Sequence, residues 1–305
     1  MPVKPNFFII GAPKAGTTAL SEYLRSHPNV YFSQPKEPEY FATDFKRVNF
    51  GYFNNFDNYM GLFKKANSSI HKAIGEGSAI YIFSKVAVEN ILKFQPNAKL
   101  IVSVRNPAEL VISLHSQLLK NGFENERVFI KAWQLEEARK SGKFIPSTCL
   151  DVKELFYSER GKLGTQLKRI LNIVPREQIK IILFDDFVAN PRKIYREVLD
   201  FLELPDDGRM EFPRINERVV IKYFTLHRFL AILWRFWLPL RQVIREGKGF
   251  GLFDYLTKWN SVPAQKKIEQ EIYAKLLAFY KDEIMILEEI LNRNLRHWLT
   301  IPHAS

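Results

Sequence analysis

The run FFIIGAPKAGTTAL, from Phe7 to Leu20, sets an apolar strand directly before a glycine-bearing loop and a helix-forming segment. A loop in that place aims backbone N–H groups and the positive end of a helix dipole at whatever sits above it, and phosphate is the usual occupant. The nucleoside triphosphate version of such a loop reads G-x-x-x-x-G-K-[ST]. Gly11 and Gly16 keep that spacing, but Thr17 stands at the lysine position and the lysine comes earlier, as Lys14. Without a lysine for the β- and γ-phosphates, nucleoside triphosphate hydrolysis is disfavoured, although a kinase or NTPase on the same fold stays open as an alternative. Lys14 at the tip of the loop could instead touch an oxygen bridging two anionic groups, with Gly16, Thr17 and Thr18 offering amides and hydroxyls to the terminal one.

Downstream, apolar runs of strand length alternate with helical patterns, which reads as βαβ units around a parallel sheet and hence an α/β fold. Further strands are expected over residues 73–78, 98–104 and 179–184, the last being the final strand of the chain. Helices are expected over 17–26, 84–94 and 190–202, and from Pro107, a residue suited to a first helical turn, to about Asn121. Residues 45–63, dense in Phe, Tyr and Asn, read as an irregular segment near the first loop, and a long helix is expected from about Pro263 to Leu291. No repeat, low-complexity tract or linker interrupts the chain. The 305 residues are therefore expected to form one domain, with a sheet core over about 5–205 and a helical region over about 215–300 that covers cofactor and substrate.

Forty-five Lys and Arg against 33 Asp and Glu give a net charge of +12, which enriches anionic ligands near the surface. Charge alone does not choose among a phosphorylated cofactor, an acidic polymer, nucleic acid or a membrane; a non-catalytic anion-binding protein also fits, while no nucleic-acid recognition motif is evident. The single cysteine, Cys149, excludes an intrachain disulfide and weakens any zinc cluster, so reducing cytoplasm is the expected compartment. Residues 224–240 are rich in aromatics but carry Arg228, Arg235 and Pro239, short of the roughly 20 apolar residues a spanning helix needs. They read as an amphipathic helix on the core or groove, with docking on a membrane surface as the alternative.

Four segments in register carry a resemblance: PKAGTTAL after the first strand, KEPEYF at Lys36–Phe41, VRNPAELVISLH after the second strong strand, and REQIKIILFDDFVANPRKIYREVLDFLEL. Together they resemble the sulfotransferases that use 3′-phosphoadenosine 5′-phosphosulfate (PAPS), in the carbohydrate, heparan-type and bacterial branch. The resemblance implies a P-loop-like parallel β-sheet flanked by helices. It implies that Lys14, Ala15, Gly16, Thr17 and Thr18 hold the 5′-phosphosulfate and that Arg105 and Ser113 hold the 3′-phosphate. Arg105 stands at the carboxyl end of a strand, where open α/β sheets bind ligands, and a guanidinium can grip phosphate bidentately. The acceptor implied is a hydroxyl, less readily an amine, of a carbohydrate, glycolipid or natural product.

Sulfuryl transfer is an in-line displacement in which the acceptor loses a proton as charge builds on the leaving phosphate. Lys14 suits the leaving side, and a carboxylate suits the acceptor side. Glu37 and Glu39 would project to the same side of an extended segment, and alignment with the glycan-modifying relatives favours Glu37 as base. His115 is the competing base. Two departures stand out: Gly77 in GEGS occupies the place of a lysine in many glycan sulfotransferases, and ERGKL lacks a tyrosine often found there. No metal is expected, the transferred group being less charged than a phosphoryl; the acidic pair Asp185–Asp186 after a strand is the only alternative for an Mg²⁺ site.

Overall fold

The computed structural model describes residues 3–46, 53, 55–215, 219–221, 223–224, 260–263 and 270–301. The expected aromatic helix over 224–240 therefore lies almost wholly outside the described residues. No described helix is long and apolar enough to cross a membrane.

Five parallel strands form the central sheet: β1 (Phe7–Gly11), β2 (Val30–Phe32), β3 (Ala73–Gly77), β4 (Lys99–Val104) and β5 (Ile179–Leu183), in the order β2-β3-β1-β4-β5. The strand carrying the opening loop is thus central, which is why all five residues of β1 are buried. Alternation along the strands sends side chains to two faces. Phe7, Ile9, Ile101 and Ile182 pack with Leu20 and Leu24 of the Thr17–Arg25 helix and with Ile194, Val198 and Leu199 of the Pro191–Phe201 helix. Phe8, Ile10, Leu100, Val102 and Val104 face the other layer, which includes Val88 and Ile91, Leu110 and Leu114, Leu167, and Ile284 and Leu287. The α/β sheet flanked by helices on both faces is what the alternating pattern called for.

Four differences from the sequence reading have local causes. The edge strand β2 is only three residues long, too short for its own periodicity to register. Residues 45–63 are not wholly irregular: Phe56–Gly61 is helical, opened by Asn55, whose side chain accepts the Asn58 N–H at 2.8 Å. Its Tyr59 stacks on Tyr40 at 4.3 Å, tying it to the KEPEYF segment. The long C-terminal helix is two, Gln270–Phe279 and Lys281–Leu291, parted at Tyr280, whose hydroxyl donates to the Tyr157 carbonyl at 2.8 Å. Strands also continue past residue 184: Val219–Ile221 pairs antiparallel with Ser261–Pro263.

Candidate active site

The Thr17–Arg25 helix opens just after β1, and its capping residue, Gly16, has a left-handed backbone, φ +80°. A Cβ there would lie 2.9 Å from the Phe187 ring and 3.1 Å from that of Phe184, so both conformation and space demand glycine. The first turn of the helix carries no acidic residue. Its unpaired N–H groups and dipole are accordingly uncompensated from within the helix, which fits an anion.

Arg105 enters from the end of β4. Its Nη1 donates to the carbonyl oxygen of Lys14 at 2.9 Å, and its Nε and Nη2 donate to Glu109 Oε2 at 3.1 and 2.7 Å. The guanidinium lies 4.8 Å from the centre of the Phe184 ring. Two residues 91 apart in sequence thereby meet at the carboxyl ends of neighbouring strands. Lys14 itself sits at φ +63°, at the turn of the loop. Ser113 lies on the buried face of the Pro107–Lys120 helix, capped by Asn106, whose side chain accepts the Ala108 N–H.

KEPEYF reaches the same loop through a residue the sequence reading passed over. Lys36 Nζ lies 3.4 Å from Thr17 Oγ1 and 2.6 Å from Glu37 Oε1. A lysine beside an acid in sequence is usually solvated, and only its contact with the loop singles this one out. The segment is not extended as expected: Glu39 adopts φ +55°, so the same-side placement of Glu37 and Glu39 in an extended strand does not apply. The turn is held from β3's continuation, with the Glu39 N–H donating to Ser78 Oγ at 3.0 Å.

Glu76 of GEGS is a second residue the sequence reading missed. It is fully buried, and burial is the main cause that pushes its pKa up from 4.5 to about 8. The neighbouring Gly77 backs onto packed atoms: a Cβ would meet Phe32 Cζ at 3.2 Å and Ile9 Cβ at 3.3 Å. A lysine at that position would need those neighbours to move. Arg160 of ERGKL is also buried, paired with Glu154 at 3.2 Å and 3.8 Å from the centre of the Phe83 ring. Glu39 and Glu37 are among the charges that favour its cationic form, while burial, the largest effect, pulls its pKa down.

Two candidates lose their functional reading. His115 is buried with Nε2 2.8 Å from the Glu126 carbonyl and its ring edge-on to Phe129 and Tyr157, a packing histidine. Asp185 accepts Trp298 Nε1–H at 2.6 Å and faces His297, and Asp186 pairs with Arg293. The acidic pair thus anchors the C-terminal turn Arg296–Leu299, which Asn106 also binds through the Trp298 carbonyl at 2.9 Å. Among the described residues no group of three or more His, Cys, Asp or Glu could hold a metal. A cavity of about 560 Å³, lined by Asn6, Asn29, Lys72, Lys99 and Glu203, opens near the starts of β1, β3 and β4, the end opposite to the loop.

Residues 4–222 match the sulfotransferase domain family. The membrane-associated sulfotransferase kil1 of Dictyostelium discoideum is 34% identical over 294 residues, covering 73% of this chain and 60% of that protein. Heparan sulfate glucosamine 3-O-sulfotransferase 5 of Homo sapiens is 29% identical over 247 residues, covering 80% and 64%. The chain thus spans less than two thirds of either relative. A solved sulfotransferase from Alicyclobacillus acidocaldarius superposes with a TM-score of 0.70 at 26% identity, covering 98% of this chain and all of that one. With the phosphate-type loop, the strand-end arginine and the sheet order all in place, this chain belongs to the sulfotransferase domain family.

Proposed function

We propose that this chain transfers the sulfuryl group of PAPS to a hydroxyl on a carbohydrate or related glycosylated acceptor. The observation that supports the reading is the 2.9 Å bond from Arg105 to the Lys14 carbonyl, which sets the strand-end arginine against the glycine-bearing loop. PAPS supplies an activated sulfuryl group and, unlike ATP, a 3′-phosphate. The amides from Ala15 to Thr18 bind the 5′ end, and Arg105 with Ser113 binds the 3′-phosphate. Glu109, half exposed, yields its hold on Arg105 to that phosphate.

In the reaction the bond from sulfur to the bridging phosphate oxygen breaks as a bond from sulfur to the acceptor oxygen forms. Glu37 takes the acceptor proton, and the electron pair of the broken bond stays on the leaving phosphate beside Lys14. Lys36 keeps the base and the loop adjacent. The carbohydrate acceptor class is supported by relatives whose names specify heparan sulfate and carbohydrate substrates.

Calorimetry with 3′-phosphoadenosine 5′-phosphate (PAP), AMP and ATP tests the nucleotide assignment. PAP should bind far better than AMP, and Arg105→Ala should remove most of that preference, a loss of about 10–100-fold for one charge-assisted contact pair. Equal binding of PAP and AMP by the wild type would refute the assignment, and Mg²⁺-dependent ATP turnover would favour a kinase. A screen of desulfated glycans and simple amines with labelled PAPS then decides between hydroxyl and amine acceptors.

A further inference from the structure

Glu76 has no role in the reaction outlined above, yet its placement is costly. It is 0% exposed in β3, in register with Phe8 of β1, where an apolar side chain would be cheaper. Its carboxyl meets two hydroxyls: Ser78 Oγ at 2.7 Å on Oε2, and Tyr81 Oη at 2.6 Å on Oε1. Each hydroxyl also accepts a backbone N–H from KEPEYF, Ser78 Oγ from Glu39 at 3.0 Å and Tyr81 Oη from Phe41 at 3.3 Å. One buried acid therefore orients both groups that pin the turn on which Glu37 stands, and that turn includes the left-handed backbone of Glu39.

We infer that Glu76 is a positioning residue for the sulfuryl transfer: through Ser78 and Tyr81 it fixes the Lys36–Phe41 turn and so the aim of the Glu37 carboxylate. The inference rests on Glu37 serving as the base. Replacing the acid by an apolar residue removes the hydrogen-bonding partner that both hydroxyls share, freeing them to rotate away from the backbone they hold.

The network is also sensitive to pH. Burial raises the Glu76 pKa to about 8, Glu37 adds to the rise, and the Tyr81 and Ser78 hydrogen bonds and Lys36 oppose it. Tyr59, from the Phe56–Gly61 helix, also feels its charge. At neutral pH the carboxyl is therefore mostly protonated, its own O–H donating to one of the two hydroxyls. For an acid raised from 4.5 to about 8, the stabilisation is complete below the lower value and is lost as pH rises through the upper one. Ionisation also sets a second negative charge near Glu37.

The test follows PAP release from PAPS with desulfated heparan oligosaccharides, and separately with water, as acceptor. Tyr81→Phe and Ser78→Ala should each lower kcat by about tenfold, and Glu76→Ala by up to about 10²-fold, the range for a misplaced catalytic group, with the KM for PAPS and the affinity for PAP nearly unchanged. Glu76→Gln, which keeps shape and hydrogen-bonding capacity, should restore most of the rate at pH 7. It should also abolish a fall in kcat that the wild type shows as pH passes about 8, and a decline in Tm that the wild type shows between about pH 4.5 and about 8 and that levels off above it. Amide hydrogen exchange at Glu39 and Phe41 should quicken in Glu76→Ala and stay near wild type in Glu76→Gln. Folded Tyr81→Phe and Ser78→Ala proteins with wild-type kcat and exchange would overturn the inference, and these two decide it even if Glu76→Ala does not fold. A wild type that binds PAP no better than AMP would instead defeat the proposed reaction.

Discussion

Lys14→Ala is expected to lower the single-turnover rate with PAPS by about 10²–10³-fold, the usual cost of deleting one fixed electrostatic stabiliser, while PAP affinity changes far less. The reason lies in when the charge appears. The bridging oxygen gains most of its negative charge as the bond to sulfur breaks, so a cation beside it is worth more in the transition state than in the ground state. The loss should fall on kcat rather than on KM. Lys14→Met serves as the partner variant because it keeps most of the side chain's length and removes only the charge. Near-wild-type turnover in both would shift the role to Lys36, whose ammonium stands 3.4 Å from Thr17 Oγ1.

Glu37→Gln should cost about 10²–10⁴-fold in turnover, the range for removing a general base, and leave PAP binding at its wild-type value. Glutamine preserves shape and can still accept a hydrogen bond from Lys36, now 2.6 Å from the carboxylate, so the loss isolates proton transfer from positioning. Rapid-quench measurement of PAP formation separates the chemical step from product release. If Glu37→Gln turns over normally and Glu39→Gln does not, the base is Glu39. His115 would have to give up its 2.8 Å contact with the Glu126 carbonyl to serve, and its ring is buried.

The candidate site was legible in the sequence where chemistry and local geometry coincide. A strand running into Gly11-Ala-Pro-Lys-Ala-Gly16 and then a helix could be read as an anion loop because each part is set by neighbours a few residues away. The same holds for Arg105 at the end of β4 and for Pro107 opening its helix. What escaped was whatever depends on contacts between segments. Lys36 looked like a solvated charge until the fold set it against Thr17. Glu76 stood in a stretch read mainly for what Gly77 lacked, and its burial follows only from β3 lying between β2 and β1. The acidic pair at 185–186 suggested a metal until the C-terminal turn, more than 100 residues on, supplied Trp298, His297 and Arg293.

The sequence by itself determined the alternation of strands and helices, the phosphate-type loop and the kinds of side chain the proposed transfer would use, because backbone period and turn chemistry are short-range. Only the tertiary structure decided which of those side chains meet. The strand order 2-3-1-4-5 brings residues 14, 36, 76 and 105 to one end of the sheet and leaves His115 in the core. That order is chosen by how apolar faces are buried across the whole chain, and no stretch of neighbouring residues encodes it.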